Sequence, residues 1–159
     1  MTQVIHTFVI PCGGEKTAHA APARDLYVGQ MFKNTLAAAE KYAADRAAEG
    51  QAVQILILSA KHGLLDLDTV VEPYDCEMMA TRRKVNPASI KVEALVEQLA
   101  ERGLDGRCEN SDNVWAMLPA AYNARLDAAL RVNFCALNNV YDGADGIGFQ
   151  RGVNRCVAA

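Results

Sequence analysis

Two short stretches hold the residue types that phosphate binding or acid/base chemistry needs. The first, Pro11-Cys12-Gly13-Gly14-Glu15-Lys16, joins a thiol, two glycines that let a backbone approach a ligand closely, and a lysine for an anionic group. The second, Ser59-Ala60-Lys61-His62-Gly63, repeats the pairing of glycine with lysine and adds a histidine. A lysine charge beside His62 disfavours the imidazolium, and a neutral imidazole near pH 7 suits proton transfer; a backbone-capping histidine is the other reading. Each glycine also fits a plain turn and each lysine a solvated surface, so the joint occurrence is what points to a site. A third stretch, Glu72-Pro73-Tyr74-Asp75, sets two carboxyls around an aromatic ring. It suits stacking on a planar base and carboxylate activation of water, with an ordinary surface loop as the alternative. Cys12 reads either as an activated thiol or as a small buried residue.

Other patterns exclude more than they suggest. His6, His19 and His62 are widely separated and read, apart from His62, as structural or exposed; no metal is expected from them. The glycines match neither a dinucleotide fingerprint nor a P-loop, and no cofactor is implied. Arg82, Arg83 and Lys84 form the densest basic run, suited to phosphate contact or to plain solvation, and are the nucleic-acid candidates.

These residues must be positioned by the elements around them. The β-branched and aromatic run 4–10 reads as a strand that enters the first glycine loop. Asp25 is placed to cap a long helix running to Gly50, with Val28, Met31, Phe32, Leu36 and Tyr42 on one face. Residues 53–58 are apolar at nearly every position, as in a parallel strand covered on both faces. Residues 64–83 read as an extended irregular segment across the sheet end. Asn86-Pro87 then starts a helix that Gly103 ends, residues 114–118 form a short strand, Pro119 opens a helix through Leu130, and 132–137 reads as a fourth strand. The expected fold is one α/β domain of three layers, residues 1–159, with a mostly parallel sheet of about four strands. In such sheets the ligand crevice lies beyond the carboxyl ends of the strands, so the first two loops should meet there.

Composition bounds the partners. The 159 residues suit one domain, and 51% hydrophobic with 22% charged residues is ordinary globular usage. Alanine fills 27 positions against four Phe, five Tyr and one Trp, so few large side chains carry the core. A net charge of -3 excludes the broad basic field of a sequence-independent nucleic-acid coat. Five scattered cysteines without a C-x-x-C pair point to a reducing cytoplasm, and neither a cleaved signal nor a membrane span is expected.

Taken together, the stretches 10–16, 21–32, 57–65 running on to 71–75, 118–122 and 146–151 resemble a family of uncharacterised phage and bacterial proteins. More distantly they are similar to the YaaA peroxide-stress family. YaaA relatives are associated with DNA binding and protection from oxidative damage, and related domains occur in enzymes that handle modified purine bases. The resemblance thus implies a base or nucleotide ligand at the strand-end crevice. The longer insertions that hold the helix-hairpin-helix element of YaaA proteins have no counterpart here.

The leading expectation is a cytoplasmic domain that binds a nucleotide or nucleobase, alone or in DNA, with hydrolase or transferase chemistry on an N-glycosidic bond as its reaction. Lys61, His62, Glu72 and Asp75 are the catalytic candidates, and Cys12, Gly13, Gly14, Lys16, Tyr27, Ser59, Gly63 and Tyr74 the binding ones. The alternatives are a non-catalytic phage protein that docks on a host protein, and a DNA-binding protein acting through Arg82, Arg83 and Lys84.

Overall fold

The computed structural model describes residues 3–81, 84–107 and 109–140. Arg82, Arg83, Cys108, Cys156 and the glycine-bearing stretch 146–151 lie outside the described residues. Strand β1 (Ile5–Pro11) leads through a loop to the two-residue β2 (Ala21–Pro22), the short helix α1 (Ala23–Leu26) and the long α2 (Gln30–Ala48). Strand β3 (Ala52–Ser59) follows, turns into β4 (Gly63–Asp66), and is succeeded by the small strands β5 (Val70–Val71), β6 (Met79–Thr81) and β7 (Lys84–Val85). Helix α3 (Val92–Glu101), a 3₁₀ turn (Glu109–Asp112), β8 (Val114–Ala116), α4 (Ala120–Arg131) and β9 (Asn138–Asn139) complete the described chain.

The main sheet has five strands in the order β4-β3-β1-β8-β9, parallel except for β4. Alternation along each strand feeds two cores, as the period of two requires. Val9, Leu56, Leu58, Val114 and Ala116 pack under Leu95, Leu99, Leu126 and Leu130 of α3 and α4. On the other face Phe8, Ile10, Ile57 and Met117 pack under Leu26 of α1 and Phe32, Ala38 and Ala39 of α2. The result is the expected three-layer α/β arrangement. Each large side chain fully buried this way contributes about 1.5–3 kcal/mol, while the alanines of α2 let that helix settle close to the sheet.

Several local expectations are corrected. The helix expected from Asp25 is split: residues 27–29 are extended, and Gly29 rather than Asp25 stands at the N-cap of α2. Tertiary pairing wins over helix propensity there, because the loop after β1 binds this segment. The segment 64–83 is not irregular throughout, since β4 forms an antiparallel hairpin with β3. The second helix begins at Val92 rather than at Asn86-Pro87, which form a turn closed by Ser89 N–H donating to the Asn86 carbonyl at 3.0 Å.

The strand expected over 132–137 is also absent. Helix α4 ends there in a Schellman motif, with Phe134 N–H donating to the Arg131 carbonyl at 3.0 Å and Cys135 N–H to the Leu130 carbonyl at 3.1 Å. Phe134 takes the left-handed position at φ 59°, and Cys135 packs with Leu130 in the core. Helices α2 and α3 close with the same pair of bonds, but with Gly50 and Gly103 at that position. Phenylalanine carries no such stop signal in the sequence. No helix among the described residues is long and apolar enough to cross a membrane.

Candidate ligand-binding site

Pairing of β1 with β3 brings the two glycine-bearing loops side by side. Pro11 stands opposite Leu58, and the Cys12 N–H donates to the Leu58 carbonyl at 3.1 Å. The loop after β1 then clamps the segment ahead of α2: Val28 N–H donates to the Glu15 carbonyl at 3.0 Å, Thr17 N–H to that of Leu26 at 2.9 Å, and Lys16 bridges Tyr27. Gly13 packs against this segment, and a Cβ there would meet the Phe32 and Tyr27 Cβ atoms at ordinary contact distances of 3.4 and 3.5 Å. So held, the Lys16 ammonium lies 4.4 Å from the centroid of the Tyr74 ring and donates to the Gly14 carbonyl at 3.2 Å.

A chain of hydroxyls fixes Tyr74. Buried Ser59 Oγ accepts the amide N–H groups of Lys61 at 3.2 Å and His62 at 3.0 Å, which occupies both of its lone pairs. Its own O–H is therefore directed to the Tyr74 hydroxyl, 2.6 Å away, and Tyr74 shares a second 2.6 Å bond with buried Tyr27. Burial pushes the Tyr27 phenol up to about 12, and burial followed by the nearby Cys12 raises that of Tyr74, so both stay protonated and hydrogen-bonding at neutral pH. The Lys61 ammonium lies 5.9 Å from the Tyr74 centroid, and the His62 ring meets Tyr74 edge-on at 5.1 Å. Burial, and after it the Lys61 charge, lowers the His62 imidazole below its ordinary 6.5.

The turn between β3 and β4 is pinned from α3. Gln98 Nε2 donates to the His62 carbonyl at 2.9 Å while its Oε1 accepts the Leu64 N–H at 2.8 Å. Gly63 faces this amide at φ +76°, and a Cβ at that position would run into Gln98 Oε1. Its glycine is required by the turn and by Gln98, and it borders neither of the hollows described next.

β1 hands the chain to α2 on one face of the sheet, and β8 hands it to α4 on the other. A crevice opens where neighbouring strands diverge in this way. It holds a hollow of about 300 Å³ lined by Cys12, Gly13, Gly14 and Lys16 from the first loop, Asp75 to Met79 from the strap after β5, and Pro119, Ala121 and Tyr122 from the start of α4. Inside it, the Cys12 thiol and the Tyr122 hydroxyl are 3.4 Å apart, and burial, then Cys12, raises the Tyr122 phenol. A second hollow of about 320 Å³ is lined by Lys61, His62, Leu65, residues 69–71, Glu72 and Pro73.

The residues singled out from the sequence thus divide. Cys12, Gly13, Gly14, Lys16 and Asp75 share the first hollow; Lys61, His62 and Glu72 share the second; Tyr74 is in the lining of neither, but its ring is approached by Lys16 from the first group and Lys61 from the second. Tyr27 and Ser59 are buried supports of Tyr74 rather than parts of either surface. Lys84 is exposed on β7 and borders neither hollow. Tyr122, Cys76, Glu77 and Met78 were not singled out. Extending the strand-end rule to the third strand would have found Tyr122, whereas nothing in the sequence marks the strap residues as a wall. Among the described residues no group of three or more His, Cys, Asp or Glu side chains gathers as metal ligands would.

No curated protein matches the chain. A family model does, over residues 7–151, which runs from β1 past β9 and takes in both hollows; the chain belongs to DUF6884, a family of unknown function.

Proposed function

We propose that this protein binds a nucleotide or nucleobase in the hollow at the ends of β1 and β8. The observation that carries the reading is Lys16: its ammonium is fixed over Tyr74 at the rim of a switch-point crevice, and it takes part in no ion pair among the described residues. A cation so placed suits a phosphate, with the Gly13 and Gly14 backbone alongside. Met78, Met79, Pro119 and Ala121 give the same hollow an apolar wall for a planar base. The volume sits at the small end of the range for small-molecule sites, which fits one nucleoside unit.

Asp75 borders this hollow and is exposed, so its carboxylate is available to steady an oxocarbenium-like sugar or align water for N-glycosidic cleavage. His62 lines the second hollow and not this one, so in this reading Asp75 is the principal acid/base group. The distant kinship to YaaA proteins, proposed from residues 10–16 and 57–65, is in keeping with a base-recognising crevice.

Calorimetric titration with nucleoside monophosphates tests the reading. Saturable binding is expected, weakened at least tenfold by Lys16→Ala with the thermal midpoint lowered by no more than about 4 °C, because the contacts the ammonium makes with Tyr74 and Gly14 are worth about 1 kcal/mol. Absence of binding at millimolar nucleotide overturns it. Chromatography of the same mixtures for free base then tests the chemistry, whose release should vanish in Asp75→Asn.

A further inference from the structure

Two hollows of nearly equal size, about 300 Å³ and about 320 Å³, are lined by the residues on either side of Tyr74 in the chain, and each has a single lysine in its lining. Chain order produces the arrangement. Pro73 lines the second hollow, Tyr74 turns its hydroxyl inward to Ser59 and Tyr27, and Asp75 lines the first. The ammonium of Lys16 comes within 4.4 Å of the Tyr74 centroid and that of Lys61 within 5.9 Å, so the two cations are no farther apart than these distances laid end to end. Neither is in an ion pair among the described residues. An anion placed between them is attracted by both charges.

We infer that the ligand consists of two nucleoside units joined through phosphate, one unit in each hollow, with the bridge crossing Tyr74 between Lys16 and Lys61. This rests on the nucleotide reading and extends it to a ligand class. A mononucleotide fills one hollow and leaves the other unfilled. The hydroxyl chain anchors Tyr74, and with it the strap between the hollows, which sets a fixed separation between the two units and favours a linked ligand over two separate ones. His62 contributes a polar group to the second hollow without adding a second cation there.

The test is calorimetry at low salt with three probes: AMP, the phosphodiester-linked dinucleotide ApA, and the pyrophosphate-linked diadenosine diphosphate. At least one two-unit probe should bind tenfold or more tightly than AMP, and whichever does so identifies a nucleic-acid strand or a free dinucleotide as the source. Lys61→Ala should cut that preference below threefold, and Lys61→Arg should restore it. AMP binding as tightly as both two-unit probes overturns the inference while leaving the nucleotide reading intact, as does a preference that survives Lys61→Ala. Binding of none of the three overturns both.

Discussion

Lys61 sits one residue before the histidine whose charge it opposes, yet burial outranks it as the cause of the lowered His62 value. The sign of the consequence is fixed. As pH falls below 6.5 the unfolded chain takes up this proton first, so stability declines until the folded-state titration point is reached, and above 6.5 the group makes no contribution. Following the imidazole C–H resonance with pH should place His62 below 6.5, and Lys61→Gln should raise it only part of the way back. A titration at or above 6.5 in the parent protein, or a downward move in the variant, contradicts this assignment. The residue scale was partly legible in the sequence. Lys16, Lys61 and Tyr74 stood out by type and spacing, whereas the roles of Ser59 and Tyr27 depend on a through-space hydroxyl chain joining positions 15 and 47 residues apart.

Elements were readable where burial is continuous. β1 and β3 are largely apolar runs packed on both faces, interrupted by His6 and Thr7 in the first and by Gln54 and Ser59 in the second, and their pattern admits little else. Expectation failed where a non-local partner decided the outcome: the loop after β1 interrupts the helix ahead of Gly29, and Gln98 of α3 pins the turn that creates β4. The end of α4 shows a third cause. Three helices close with the same hydrogen-bond pair, and only α4 places a residue with a Cβ, Phe134, in the left-handed conformation, with its side chain 97% exposed. The ring gains little from packing there, so Phe134→Gly should stabilise the protein by about 0.5–1 kcal/mol in denaturant unfolding, relief of the left-handed strain exceeding the added chain entropy. A loss of that size would mean that the exposed ring carries contacts the helix end needs.

At the scale of the molecule, two features combine. The order β4-β3-β1-β8-β9 sends the chain from β1 and β8 to opposite faces and opens a crevice at their ends. The strap after β5 lines both hollows, Glu72 and Pro73 the second and Asp75 to Met79 the first, with Tyr74 anchored between them in the chain. A net charge of -3 confines attraction for anions to local lysines, which suits a small phosphate-bearing ligand better than a long duplex. Amide chemical-shift mapping during an AMP titration tests this account most directly. It predicts saturable shifts concentrated at Cys12, Gly13, Gly14, Lys16, Asp75 and Tyr122, with little change at Phe134 on the end of α4. Saturable shifts centred elsewhere, or no shifts at millimolar AMP, would contradict it.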